Sequence, residues 1–337
     1  MLNTQPIYSL SICTQVTMNM HSLNNEGGEG NQIQTRMVNI MGEDGYMYNV
    51  NAVSGDMFKH IQAEHLHRLS LDANLPLSDG ARSFNANRVN FDIEAKTNLF
   101  HEFKKVKDKD KIKELDIILK HCAVTDMEGT LVTADNRSLA RKSVVEFGWA
   151  VGLPNKVETD SYFHAKYVHE HKTSKKSDDT GDSSGSNVGQ NIFHRPASSG
   201  IYAIVLNIEA ARIGFNDLAQ RYAIDEVERA VRLKTLLESV LYTFIEPAGA
   251  MRSTQNPHIV NLNGVITVSH NVIPAPCISP LKESFVDDIN KVSSAFNGLR
   301  PDAIKVIRFS SIGEFASELA GLIPLATPYT LDVAQTS

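Results

Sequence analysis

The sequence has little cysteine, no excess of positive charge and no hydrophobic run of membrane length. Cys13, Cys122 and Cys277 are far apart and odd in number, so neither a disulfide framework nor a Cys-x-x-Cys zinc site follows. A reducing, cytoplasmic compartment is expected. Lysine plus arginine number 33 against 39 acidic residues, a net charge of −6. That excludes coating nucleic acid by bulk positive charge but leaves room for a local basic groove. No apolar stretch approaches the roughly 20 residues of a membrane span. Alternation of polar and apolar residues from the start predicts no signal peptide. Secreted, membrane-spanning and fibrous classes are thereby set aside. Of 337 residues, 42% are hydrophobic and 21% charged. Such a chain can bury a core, and at about 150 residues per domain it makes roughly two structural units.

Residues 8–20 alternate with period two: Tyr8, Leu10, Ile12, Val16 and Met18 fall on one side, Ser9, Ser11, Cys13 and Gln15 on the other. This predicts a half-buried strand, ending in a glycine-rich loop at 21–31. Residues 54–69 predict a helix capped by Ser54, with Asp56 in its first turn and a stripe of Phe58, Ile61, Leu66 and Leu69. The lysine-rich run 101–121 is expected as a solvated helix face with alternating charges in contact range. Strands are expected at 161–170, 200–208 and 265–270. A helix is expected over 224–244, with Val227, Ala230, Val231, Leu237, Val240, Leu241 and Phe244 on one side. The C-terminal part adds a helix near 286–296, a strand at 303–309 and a helix at 312–322 capped by Ser310 or Ser311. Between 172 and 191 the only aliphatic residue is Val188; such a segment is expected to be mobile without a partner. With the insertion and this loop set aside, the order is βαββαβ, the ferredoxin-like order of RRM modules.

Several chemical motifs fail on context. Gly181-Asp182-Ser183-Ser184-Gly185 matches Gly-x-Ser-x-Gly, but it lies in a polar low-complexity loop and not between a strand and a helix. His65 and His67, two apart on a helix, face different ways, and His169-x-His171 has no evident third ligand. No metal and no cofactor are therefore expected. Gly27, Gly28 and Gly30 lack the spacing of a phosphate-binding loop, and Glu26 and Glu29 would repel phosphate. More suggestive is 249–258, where Arg252, Ser253, Thr254, Gln255 and Asn256 supply a positive fork and neutral donors. That chemistry suits a phosphodiester backbone. Lys172, Lys175 and Lys176, with Phe193, His194 and Arg195 at the far end, fit a strand-gripping hairpin diluted by Asp178, Asp179 and Asp182.

Three segments taken in order resemble a known family: SLSICTQVTMNMHSLNNEGGEGN, NVNAVSGDMFKHIQAEHL and FHRPASSGIYAIVLNIEAARIGFND. The chain is similar, from Ser9 to about His258, to the DevR-type CRISPR-associated proteins, the repeated backbone subunits of type I Cascade surveillance complexes. The resemblance implies an α+β fold: a modified RRM, or ferredoxin-like, palm (7–69, 159–170 and 199–330), a helical fingers insertion (70–158) and a β-hairpin thumb (171–198). It implies a non-catalytic subunit that binds the spacer part of a guide RNA, stacks with copies of itself into a helical filament and presents the guide to target DNA beside other Cascade subunits, without a membrane. The alternative is an RNA-cleaving backbone subunit like those of type III complexes, for which Asp126 in TDMEG is the acid to suspect; Asp126 is taken as structural. The residues expected at the RNA are Asn24, Asn25, Lys59, His60, Lys172, Lys175, Lys176, Phe193, Arg195, Arg252, Ser253 and Gln255. Lys59 and His60 lie near a helix N-terminus, which attracts phosphate through free amides and the helix dipole.

Overall fold

Alternation along the first long apolar segment yields a strand with two differently covered faces. In the computed structural model, which describes residues 4–24, 28–29, 32–167, 190–249 and 255–332, this strand is β1 (Ser9–His21). Its even side chains Leu10, Ile12, Val16 and Met18 enter the main core, as the two-residue period of a strand requires. The odd side departs from the half-buried expectation, because Ser9, Ser11 and Cys13 are buried as well. A strap, residues 273–281, crosses them. The Ala275 N–H donates to Ser9 Oγ at 2.9 Å, and Ser11 Oγ donates to the Pro276 carbonyl at 2.5 Å. Short polar side chains here bond a crossing chain and not water.

The remaining long strands are β2 (Met37–Met41), β3 (Met47–Val53), β4 (Ala150–Tyr167), β5 (Gln190–Ile208), β6 (His258–Ser269) and β7 (Ile304–Phe309). They lie in the order β7-β6-β1-β5-β4-β3-β2, and each neighbouring pair is antiparallel. The expected strands at 200–208 and 265–270 are the C-terminal parts of longer ones, the second ending at Ser269, and 161–167 is the distal part of β4, with 168–170 outside the described residues. The architecture is mixed α/β with a mostly antiparallel sheet. Where the β4–β5 hairpin leaves the sheet, register shifts occur between Gly152 and Val157 and between Ser198 and Gly200. Gly200 has φ +156°, and a Cβ there would stand 2.3 Å from the Lys156 carbonyl oxygen. Only glycine lets the two strands approach so closely at this irregularity.

Helix α1 (Gly55–Asp72) begins at Ser54, whose Oγ accepts from the Met57 N–H at 3.2 Å. Five short helices follow: α2 (Asp79–Arg82), α3 (Val89–Glu94), α4 (Asn98–Lys104), α5 (Lys111–His121) and α6 (Ala123–Glu128). The run 101–121 is thus not one solvated helix. It breaks at Asp108 (φ 57°), and Asp110 recaps it by accepting from the Ile112 N–H at 3.0 Å. Leu115, Ile118 and Leu119 then turn inward with Phe103, Val89 and Ile93 to form a second apolar cluster. Glu114 is buried too, paired with buried Arg137 at 2.9 Å.

Helix α7 (Glu226–Ile245) lies beside α1 on the even face of β1, where Phe58 and Leu66 meet the core formed with Leu233, Leu236, Val240 and Phe244. Val227 and Val231 do not belong to its inner side; they are 76% and 36% exposed. The buried side of its first turns carries Arg229 and Arg232, whose ion pairs and carbonyl contacts turn the valines outward. Helix α8 (Phe285–Leu299) covers the opposite face, packing Phe285 and Ile289 on Cys13 and Val265. Helix α9 (Ile312–Leu322) starts at Ser311, which accepts from the Glu314 N–H at 3.1 Å. Among the described residues no helix is long and apolar enough to cross a membrane.

At the end of β1, His21 is 2% exposed, and neither ring nitrogen has a hydrogen-bond partner among the described residues. Its ring meets Tyr202 edge-on at 4.9 Å. Burial disfavours the imidazolium and lowers the pKa from 6.5 to about 4. The unfolded chain therefore binds more protons between these values, so stability rises with pH across the window and is lost as pH falls through it. The contribution is about 3 kcal/mol. We expect the wild type to lose stability from pH 6.5 to 4 more steeply than His21→Phe, measured by urea unfolding at a series of pH values; parallel curves would refute the assignment.

Candidate nucleic-acid interface

The start of α1 is fixed from three sides. Asn24 Nδ2 donates to the Ala52 carbonyl at 2.7 Å, and its Oδ1 accepts from the Ser54 N–H at 3.1 Å. Gly55 lies so close to the following segment that a Cβ would stand 2.6 Å from the Phe147 carbonyl oxygen. Asn24 is thus a buried clip between the end of β1 and the helix cap, with its amide committed to backbone. Asp56 is the acid of the first turn, and Lys59 and His60 follow at its end.

Lys59 and His60 line a cavity of about 240 Å³ between α1 and the loop joining α2 to α3, together with Asp56, Phe84, Asn85 and Arg88 over a floor of Ala63, Ala81 and Val124. Lys59 is half-buried, not a fully solvated helix residue. Burial pulls its pKa below the usual lysine value, and the charge of nearby Glu128 opposes that. Glu128 is itself buried, which pushes its carboxyl pKa up against the charges of Arg88 and Lys59. Arg88 donates from Nη1 to the Gly129 carbonyl. Both Arg88 and Phe84 adopt positive φ, 45° and 52°, conformations costly for residues with side chains. The Phe84 ring packs against His60 at 5.5 Å and His67 at 5.1 Å. The result is an apolar-floored recess whose rim carries Lys59, Arg88 and His60 against the single acid Asp56, able to take an anionic group beside a flat ring. Arg88 and Phe84 were not singled out from the sequence; only the fold brings residues 84–88 against α1.

Asp126 occupies a different place. It is fully buried on α6, Oδ1 bonded by Arg141 at 2.7 Å and Oδ2 by Arg232 at 2.8 Å and by the Gly214 N–H at 2.9 Å. Arg141 also donates to the Phe215 carbonyl at 2.8 Å and the Arg212 carbonyl at 2.6 Å. The acid joins the short-helix segment to α7 through a bonded network.

The other expected RNA contacts are scattered or lie elsewhere. Gln255 is buried, with Nε2 donating to the Pro196 carbonyl at 3.0 Å. Arg195 is half-buried on β5 opposite Tyr162. Phe193 pairs with His164 in the hairpin by backbone register, and its side chain lies outside the described residues. Asn25, Lys172, Lys175, Lys176, Arg252 and Ser253 lie outside them too, as does the Gly-x-Ser-x-Gly match at 181–185. His65 and His67 do face apart, bonding the Glu246 carbonyl at 3.1 Å and the Arg82 carbonyl at 3.0 Å.

Comparison with known proteins bears on the whole chain. The family described as CRISPR-associated negative auto-regulator DevR/Csa2 matches residues 12–290. The CRISPR-associated protein Cas7/Csa2 1 of Saccharolobus solfataricus is 22% identical over 296 residues, covering 85% of this chain and 87% of its own. Among solved structures, a chain of a CRISPR RNA-guided surveillance complex, pre-nicking, aligns at 10% identity over 93% of this chain and 100% of its own, with a TM-score of 0.48. Csc2 of Thermofilum pendens aligns at 9% identity over 93% and 81%, with a TM-score of 0.37. Structural likeness at these scores carries no weight in the assignment, which rests on the family match. By that match, covering most of its length, the chain belongs to the DevR/Csa2 family of CRISPR-associated proteins.

Proposed function

We propose that the chain is a non-catalytic backbone subunit of a Cascade-type complex that binds the spacer part of a guide RNA and stacks with copies of itself into a helical filament, presenting the guide to target DNA. The observation that carries this reading is the family match over residues 12–290. The fold supports it in three places. The strands β6-β1-β5-β4 are the fourth, first, third and second of the expected βαββαβ set, antiparallel throughout, with α1 and α7 on one face. That order supports the reading of a ferredoxin-like palm. The second cluster around Phe103 and Leu115 is consistent with a separate fingers insertion at 70–158, and the β4–β5 hairpin, described to Tyr167 and from Gln190, with a thumb at 171–198. The Lys59, His60 and Arg88 recess supplies the local basic surface that an acidic chain needs to hold phosphate.

Asn24 and Gln255 serve this reading as ties that place neighbouring loops, since their amides donate to backbone carbonyls. Arg252, Ser253 and Asn25 contact the guide backbone, and Lys172, Lys175, Lys176 and Arg195 flank it, with Phe193 or Val188 as an apolar wedge. The β2–β3 hairpin, last in the sheet among the described residues, exposes Met41 at 66%, Tyr46 at 70% and Met47 at 61%. Such a patch suits a protein partner, here a second copy or another Cascade subunit. The buried, bonded Asp126 favours a scaffold over the RNA-cleaving alternative. The test is co-expression with a guide, followed by purification and nuclease challenge. We expect bound RNA with regularly spaced protection and no cut of guide-complementary RNA with added divalent metal. Recovery free of RNA, or metal-dependent cleavage, would overturn the reading.

A further inference from the structure

Cys13 and Cys277 are 264 positions apart in sequence, yet Cys13 Sγ–H donates to Cys277 Sγ at 3.8 Å. The strap makes the pairing, because it follows β1 in step. Ser9 bonds Ala275 and Ser11 bonds Pro276. Cys13 meets Cys277, and Gln15 Nε2 donates to the Pro280 carbonyl at 2.8 Å. Thr267 Oγ1 adds a bond to the Pro276 carbonyl at 3.0 Å. Contacts on both sides therefore hold the two sulfurs in register. Cys277 is exposed while Cys13 is buried.

We infer that Cys13 and Cys277 form a modification site, a thiol pair that a small disulfide oxidant closes into a crosslink fixing the strap on β1. Bringing the sulfurs to a bonding separation of about 2 Å requires only a small movement of an exposed loop residue. The Cys277 thiolate, nearer to solvent, attacks one sulfur of the oxidant, forming a mixed disulfide and expelling one thiolate. Cys13 then loses its proton and attacks Cys277 Sγ, expelling the second. One disulfide bond breaks and one forms. Two protein thiols are oxidised, and two small thiols are released carrying the two protons.

The electrostatics suit this order. The hydrogen bond from Cys13 lowers the pKa of Cys277, and the same bond, with burial and the Cys277 charge, raises that of Cys13. Once Cys277 is capped its negative charge is gone. Of those causes, burial then remains, while the bonds from Ser11 and the Ile278 backbone continue to favour the Cys13 thiolate. Cys122, buried and bonded to Thr125 and Ser78, stays out of the reaction.

The test is to treat the full chain with oxidised glutathione and follow intact mass, non-reducing peptide maps and Tm. We expect loss of two hydrogens, a peptide linking residues 13 and 277, and a rise in Tm of several degrees that dithiothreitol reverses. Cys13→Ser should trap a stable glutathione adduct on Cys277, and Cys277→Ser should leave Cys13 unmodified. A lasting adduct on the wild type without the linked peptide, a crosslink involving Cys122, or no reaction at all would overturn the inference. Cys277→Ser changes an exposed position, so its outcome is readable even if Cys13→Ser folds poorly.

Discussion

Lys59→Glu is expected to weaken binding of a guide-length RNA at least tenfold at fixed salt, the largest single-residue effect on binding in this chain. Lys59 lies in the second turn of α1, beside His60 and Arg88 on the rim of one recess. There the charges of Lys59 and Arg88 act on an anion together, against that of Asp56. A hydrogen bond to a charged group is worth about 1.5–3 kcal/mol, and charge reversal adds repulsion to its loss. In the proposed filament the residue would recur in every copy, and the loss would multiply along it. Glu128 is close to Lys59, so a second carboxylate there also stresses the fold. Lys59→Gln separates the effects: it removes the charge alone. It should bind about tenfold more weakly, with the salt slope reduced by roughly 0.7 per lost contact on a single strand. Wild-type affinity and slope in Lys59→Gln, with an unchanged melting curve, would remove Lys59 from the interface.

Asp126→Asn should produce the largest loss of stability. The carboxylate faces Arg141 and Arg232, all with side chains 0% exposed. Removing the charge leaves Arg141 with only part-exposed Asp217 and Arg232 with only part-exposed Glu228 as counter-charge, and the new amide N–H₂ points a donor at other donors. Breaking a buried pair in this way costs about 3–5 kcal/mol. In a chain of this size that lowers Tm by roughly 4–7 °C. Binding per folded molecule should stay unchanged, because the network lies apart from the Lys59 recess. Retention of wild-type Tm would refute the structural role. Loss of a metal-dependent RNA cleavage at unchanged Tm would establish the catalytic alternative in its place.

Local pattern determined much of this protein. Alternation fixed the faces of β1, Ser54 and Ser311 marked two helix starts, and acids in the first turn opened α7. These are short-range effects, settled within a few residues by sterics, caps and periodicity. The hairpin of β2 and β3 left no such pattern, because the side chains of Met37–Met41 alternate only between exposed and half-exposed. Long-range pairing decided the rest. A lysine-rich run became two helices when Leu115 and Ile118 found Phe103. The N-terminal turns of α7 buried arginines and not valines because Asp126 stood opposite. Lys59 was legible as a charge, with His60 beside it, near a helix start, but Arg88 and Phe84 joined them only when the chain folded back on α1. Cysteines that are remote in sequence met because the strap follows β1. Sequence spacing carries information about neighbours along the chain; which buried charge or thiol lies opposite another depends on how the sheet's two faces are covered.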